Sequence, residues 1–242
     1  MIPRFFVDEL CEPGREVDLD GADARHANVV LRLRAGDPLI VVRDGTAWDA
    51  TLTEVLASGA RARIVSAREE AGGELPAAVT VMQALTKGAK FDFVVEKAVE
   101  LGARTIVPVQ FERSYAEARE HKLERWRRIA RAAASQARRR YVPTVAEPIV
   151  WASALASWKS SPPPIVAYER APAGTLEEAL ERACPAPNVA VAIGPEGGLT
   201  EAEVEAARSA GCALVSLGPT ILRTETAALA MLAALAARCN WW

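Results

Sequence analysis

Metal chemistry has little to draw on in this chain, which carries two histidines and four cysteines among 242 residues. Cys11, Cys184, Cys212 and Cys239 are far apart and form no Cys-x-x-Cys pair, so neither a zinc site nor a disulfide framework is expected, and a reduced cytosol fits. Long hydrophobic runs are also missing. The longest, Ala227 to Ala237, is too short to cross a bilayer and reads as a buried helix. The opening Met-Ile-Pro-Arg-Phe-Phe lacks a basic region followed by a long apolar core, so no secretory signal is expected, and the expected localisation is cytoplasmic. Neither sign of charge dominates: the formal net charge is -2, which neither demands nor excludes a nucleic-acid partner.

Half of the residues are hydrophobic, enough for one large core or for a large and a small one. The charge is unevenly spread. From Arg113 to Arg140 ten Lys/Arg stand against three Glu, a local +7 that leaves the remainder at -9. That stretch is a candidate phosphate-facing surface, with a solvated helix face as the equal alternative.

The pattern changes near residue 75. Before it, Pro3 to Val7, Pro38 to Arg43, Trp48 to Val55 and Ala62 to Ala67 read as short strands, with Asp44-Gly45 as a hairpin turn. A helix over about Ala22 to Leu33 interrupts them. This predicts a small β-barrel over 1–70, followed by a linker over 71–77. From 78 to 242, apolar strands alternate with amphipathic helices, as in an α/β domain around a mainly parallel sheet. Strands are expected at Val79–Leu85, Thr105–Val109, Ile165–Tyr168, Val189–Ile193 and Leu214–Leu217. Thr175 with Glu178, and Thr200 with Glu203, have capping-box spacing.

Two loops carry the chemistry. Ile193-Gly194-Pro195-Glu196-Gly197-Gly198-Leu199 follows a buried strand and precedes a capped helix, the place where open α/β sheets bind ligands. Its glycines let backbone amides approach a ligand closely. It lacks the Gly-Lys-Ser/Thr of a P-loop, and Glu196 stands where a dinucleotide fingerprint needs its second glycine. The second loop runs from Leu217 to Ala227. Thr224 is a reasonable helix N-cap and Glu225 suits the positive end of the helix dipole, but a cation at Arg223 has no capping explanation.

Leu-Gly-Pro-x-Ile-Leu-Arg-Thr-Glu-Thr-Ala at 217–227, the Ile-Gly-Pro-Glu-Gly-Gly-Leu loop, Lys87-Gly88-x-Lys90 followed by Lys97 and Glu100-Leu101-Gly102, Arg113-Ser114, and the earlier Arg25-His26-x-x-x-Val30-Leu31-Arg32 with Gly36-Asp37 together resemble the bacterial 16S ribosomal RNA uridine-N3 methyltransferases. The resemblance covers nearly the whole chain. It implies a PUA-like RNA-binding barrel, then a SPOUT-superfamily domain with a trefoil knot, the chain working as a homodimer on 16S ribosomal RNA within the 30S subunit, with no membrane role. The cofactor implied is S-adenosylmethionine, held by Leu85, Thr86, Ile193, Gly194, Gly198, Leu217, Gly218, Leu222, Thr224 and Ala227. Uracil N3 must lose a weakly acidic proton, so the developing anion calls for a cation, Arg223 or Arg139, and for a proton acceptor, for which Glu196, Glu225 and water are the candidates. N3 lies on the Watson–Crick edge, so the target must be unpaired or extruded. Arg25, Arg32, Arg34, Lys87, Lys90, Arg113 and Arg139 are the expected phosphate contacts. His26 reads as a local hydrogen-bonding residue and His121 as surface.

Two segments depart from the family pattern. Thr220 stands where arginine is usual, and Ser135-Gln136-Ala137-Arg138-Arg139 replaces Glu-Gln-x-Gly-Arg, with Arg138 and Arg140 as the compensating cations. Two other readings stay open: a non-catalytic RNA-binding or ribosome-assembly protein that retains the fold, and an unrelated α/β enzyme using an adenine nucleotide.

Overall fold

A computed structural model describes residues 2–56, 59–70, 73–114, 120–172 and 175–241, apart from the side chains of Glu120 and His121. The linker residues 71 and 72, and the His121 side chain, lie outside that description. The chain divides into two compact units, Met1–Glu74 with Ala134–Val142, and Leu75–Ala133 with Pro143–Trp242. A linear division at 71–77 does not foresee the return of 134–142 to the first unit.

In the first unit, β1 (Arg4–Phe6), β2 (Glu16–Leu19), α1 (Gly21–Arg25), a π-helical turn (His26–Val30), β3 (Pro38–Arg43), β4 (Thr46–Val55) and β5 (Ala60–Arg68) follow in order. The sheet order is β1-β3-β4-β5-β2; β1 pairs parallel with β3, and the other ladders are antiparallel. Two register shifts in the β4–β5 ladder bend the sheet. Alternation sends Leu39, Val41, Leu52 and Ile64 inward with Phe5, Val17 and Leu19, and Ala24 and Ala27 close the cluster. The helix expected over 22–33 is shorter than its pattern: α1 ends at Arg25, and the chain leaves the π-helical turn through Arg32 in the left-handed region, at φ 54°.

The second unit contains β6 (Ala78–Ala84), α2 (Lys90–Glu100), β7 (Thr105–Gln110), α3 (Glu120–Gln136, whose last three residues belong to the first unit), β8 (Thr144–Val145), β9 (Ile149–Val150), α4 (Trp151–Ser157), β10 (Ile165–Ala167), α5 (Thr175–Ala183), β11 (Asn188–Ile193), α6 (Glu201–Ser209), β12 (Ala213–Val215) and α7 (Thr224–Arg238). Its sheet runs β12-β10-β11-β6-β7-β8, with β9 also on β7, and every described ladder is parallel. Parallel strands buried on both faces need near-continuous apolar sequence, which Val79, Val81, Met82, Val189, Val191 and Ile193 supply. α2 buries the expected stripe of Phe91, Val94, Val95, Ala98 and Val99. Asp92 joins it to α3 by accepting from Arg125 Nε at 2.8 Å and Trp126 Nε1 at 3.0 Å, while Phe91 and Trp126 pack with ring centroids 4.2 Å apart. No helix among the described residues is long and apolar enough to cross a membrane.

Three local expectations change. Thr200 and Glu203 do form a reciprocal capping box, but Thr175 is the first residue of α5 rather than its cap, and its hydroxyl donates to the Pro172 carbonyl at 2.9 Å. Thr224 is likewise inside α7, with Arg223 in the cap position. Cys184 and Cys239 form a disulfide, because α5 and α7 pack side by side and bring two residues 55 apart in sequence to a Cα separation of 4.9 Å. Cys11 and Cys212 remain free, and burial pushes the Cys212 thiol up to about 11, so it stays protonated at neutral pH.

Candidate functional site

The strand order explains why the two loops read from the sequence meet. β12, β10 and β11 are adjacent and parallel, so the segments leaving their carboxyl ends emerge side by side at one edge of the sheet. Between them lies a cavity of about 450 Å³, lined by residues 167–169, 193–199, 216–224 and Ala227. Its size falls within the ~300–1,000 Å³ typical of small-ligand sites. The apolar wall comes from Ile193, Leu217, Leu222 and Ala227, and the loop backbones supply amides and carbonyls. Gly198, at φ 71°, and Gly218, at φ 121°, hold backbone conformations that side chains resist, which fixes glycine at both bends.

Arg223 lines this cavity, and its side chain makes no hydrogen bond or ion pair among the described residues. Glu196 also lines it, but one of its carboxylate oxygens accepts from Lys90 Nζ at 3.1 Å. Lys90 lies 3.9 Å from Glu225 as well, so it sits between two carboxylates rather than facing solvent alone. The second Glu225 oxygen is buried without a hydrogen-bond partner among the described residues. Arg113 braces the loop, its guanidinium donating to the Gly197 carbonyl at 3.0 Å.

The Thr224 hydroxyl ties the two loops together. It donates to the Gly194 carbonyl at 2.7 Å and accepts from Gln83 Nε2 at 2.9 Å. Gln83 is completely buried on β6. A helix-cap reading of Thr224 misses this role because its partners lie 30 and 141 residues away.

A family model described as an RNA methyltransferase domain matches residues 73–236. The ribosomal RNA small subunit methyltransferase E of Bacillus subtilis is 32% identical over 96% of this chain and 95% of its own length. That of Mycobacterium tuberculosis is 35% identical over 98% of this chain and 92% of its own. The chain belongs to the ribosomal RNA small subunit methyltransferase E family. Among solved structures, the methyltransferase E of Neisseria gonorrhoeae bound to S-adenosyl methionine is 34% identical, with a TM-score of 0.87 over 98% of both chains. A methyltransferase of Legionella pneumophila in complex with S-adenosylmethionine matches with the same TM-score at 27% identity, again over 98% of both chains.

The cavity gathers Ile193, Gly194, Gly198, Leu217, Gly218, Leu222, Thr224 and Ala227 from the expected ten residues. Leu85 and Thr86 are not in its lining. Both are buried, because the chain past β6 stays bonded to the sheet through Leu85 N–H and the Val109 carbonyl at 3.0 Å. Tyr168, Glu169 and Ser216 join the wall unforeseen. The strands ending at Ala167 and Val215 are three residues long, so only their neighbours in the sheet reveal that these side chains face a cavity.

Arg139 is a correction. It is 2% exposed, and its Nε and Nη2 donate to the two Glu74 oxygens at 3.0 and 2.6 Å within the first unit. A guanidinium held this way is withdrawn from phosphate. Arg140, offered with Arg138 as a compensating cation, is exposed, and its Nε donates to the Gly45 carbonyl at 2.8 Å. Part of the basic stretch is neutralised by neighbouring carboxylates. Arg125 pairs with Asp92, and Arg127 with Glu124 and Glu147. Arg25, Arg32, Arg34 and Lys87 are exposed. His26 lies edge-on to Phe5, with ring centroids 6.4 Å apart.

Proposed function

We propose that this chain transfers a methyl group from S-adenosylmethionine to N3 of a uridine in 16S ribosomal RNA of the small subunit, acting in the cytoplasm as a homodimer. The observation that carries the reading is the cavity at the carboxyl ends of three adjacent parallel strands, with the unpaired Arg223 on its wall. The finer architecture belongs to the same proposal: a PUA-like form for the five-stranded first unit, and a trefoil-knotted SPOUT form for the second.

The cavity suits this cofactor in kind. An apolar slot beside glycine-rich backbone accommodates an adenosine and an amino-acid moiety without strong charges. Ile193, Leu217, Leu222 and Ala227 would hold the apolar parts, and the backbone at Gly194, Gly198 and Gly218 the polar ones. When bound, the cofactor supplies an electrophilic methyl group. Arg223 would stabilise the uracil anion as N3 loses its proton. Glu196 would take that proton, with Lys90 holding the carboxylate in place. Arg25, Arg32, Arg34, Lys87, Lys90 and Arg113 would meet RNA phosphates, with Lys90 and Arg113 also bracing the loop.

Calorimetry with S-adenosylmethionine, ATP and NAD in parallel checks the cofactor. Binding of the first alone supports the proposal; binding of ATP or NAD instead supports the adenine-nucleotide alternative. Thr224→Val keeps the shape but removes the hydroxyl that joins Gln83 to Gly194, so the KM for S-adenosylmethionine is expected to rise about tenfold with little change in kcat. An unchanged KM would remove Thr224 from the site. Reversing Arg25 and Arg32 to Glu is expected to weaken RNA binding and to flatten its logarithmic salt dependence by about 1.4, two single-strand phosphate contacts. An unaltered slope would take these arginines out of the interface.

A further inference from the structure

The first unit treats its arginines in two ways. Of the nine between residues 4 and 68, six pair with carboxylates: Arg4 with Glu70, Arg15 with Glu12, Arg43 with Asp44, Arg61 with Asp18, Arg63 with Glu16 and Arg68 with Asp49. Arg25, Arg32 and Arg34 are exposed and have no ion pair among the described residues. These three flank a single feature. The π-helical turn ends in Val29, Val30 and Leu31, which are 61, 64 and 39% exposed. Beside it lies a groove of about 430 Å³ lined by Asn28, Arg32, Leu33, Arg34, Ala35 and Val55. The loop is held in shape by Leu33 N–H donating to the Ala27 carbonyl at 2.9 Å and Arg34 N–H donating to the Asp37 carboxylate at 2.7 Å.

Cations left without carboxylates, next to apolar side chains left without cover, call for a ligand that is both anionic and apolar. Duplex RNA presents phosphates, but its base faces are stacked and its Watson–Crick edges are paired. An unpaired nucleotide offers a phosphate, an apolar face and a free edge together. Asn28 carries both a donor and an acceptor for such an edge. We propose that this groove binds one unpaired RNA nucleotide, with Arg32 and Arg34 toward its phosphates, Leu33 and Val55 against its base, and Val29, Val30 and Leu31 as a wedge between neighbouring bases. This rests on the reading that the chain acts on RNA, and adds to it a single-strand preference residing in the first unit.

The probes are a short single-stranded RNA carrying one 2-aminopurine, and the blunt duplex it forms with its complement. They are titrated with the parent protein, with Asn28→Ala, and with Val29, Val30 and Leu31 all replaced by Ser, changes at partly or fully exposed positions. The parent is expected to bind the single strand about tenfold tighter than the duplex. Both variants are expected to lose that preference while keeping the salt dependence set by the arginines. Equal affinity of the parent for both probes, or an undiminished preference in both variants, overturns the proposal. Methyl incorporation into small-subunit RNA by the parent is measured alongside. A retained preference without methylation overturns the transferase reading and leaves the groove standing.

Discussion

Arg223→Ala is expected to lower methyl transfer about 10²- to 10³-fold while leaving the fold intact, the loss typical of removing one preorganised charge from a developing anion. The structure separates the two effects. The Arg223 side chain makes no hydrogen bond or ion pair among the described residues and does not cap α7, so its removal costs the fold little. Unchanged thermal stability and cofactor affinity, with turnover lost, is the expected pattern in single-turnover assays on small-subunit RNA. Arg223→Lys keeps the charge without the planar fork and is expected to fall between. Turnover equal to that of the parent in Arg223→Ala would show that the anion is stabilised elsewhere.

Glu74→Ala is expected to destabilise the protein by about 3 kcal/mol, because it strips the bidentate carboxylate from a guanidinium that is almost wholly buried. The same carboxylate oxygen also accepts the Arg140 and Tyr141 backbone N–H groups, at 2.9 and 3.2 Å, so it anchors the returning segment as well as Arg139. Thermal unfolding should begin on the order of 10 °C lower. Glu74→Gln, which retains the acceptor but not the charge, should recover part of that loss. A melting curve for Glu74→Ala that superimposes on the parent's would mean that Arg139 and the returning segment are held by other contacts, and would remove Glu74 as their anchor.

What was legible in the sequence follows the range of the interactions. Strands with apolar alternation and the Asp44-Gly45 turn depend on neighbours in sequence, and Pro38–Arg43 forms as read. The Thr200 and Glu203 box spans three residues and is present. Glu16–Leu19 is too short for its pattern to mark a strand, with only Val17 and Leu19 buried, and owes its strand to pairing with β5. The two loops were legible from their glycines, but the bond that joins them was not, because Gln83, Thr224 and Gly194 meet only once the parallel sheet is assembled. The same holds for the Cys184–Cys239 disulfide and for Arg139. The basic charge around Arg139 suggested a surface, whereas Glu74, 65 residues earlier, turns it inward.

The central claim is tested most directly by incubating the protein with methyl-labelled S-adenosylmethionine and small ribosomal subunits from cells lacking this gene, then digesting the RNA to nucleosides. The account predicts label in 3-methyluridine from 16S RNA, and its near loss with Arg223→Ala. Label in a different nucleoside, or none from a protein that binds the cofactor, would contradict it.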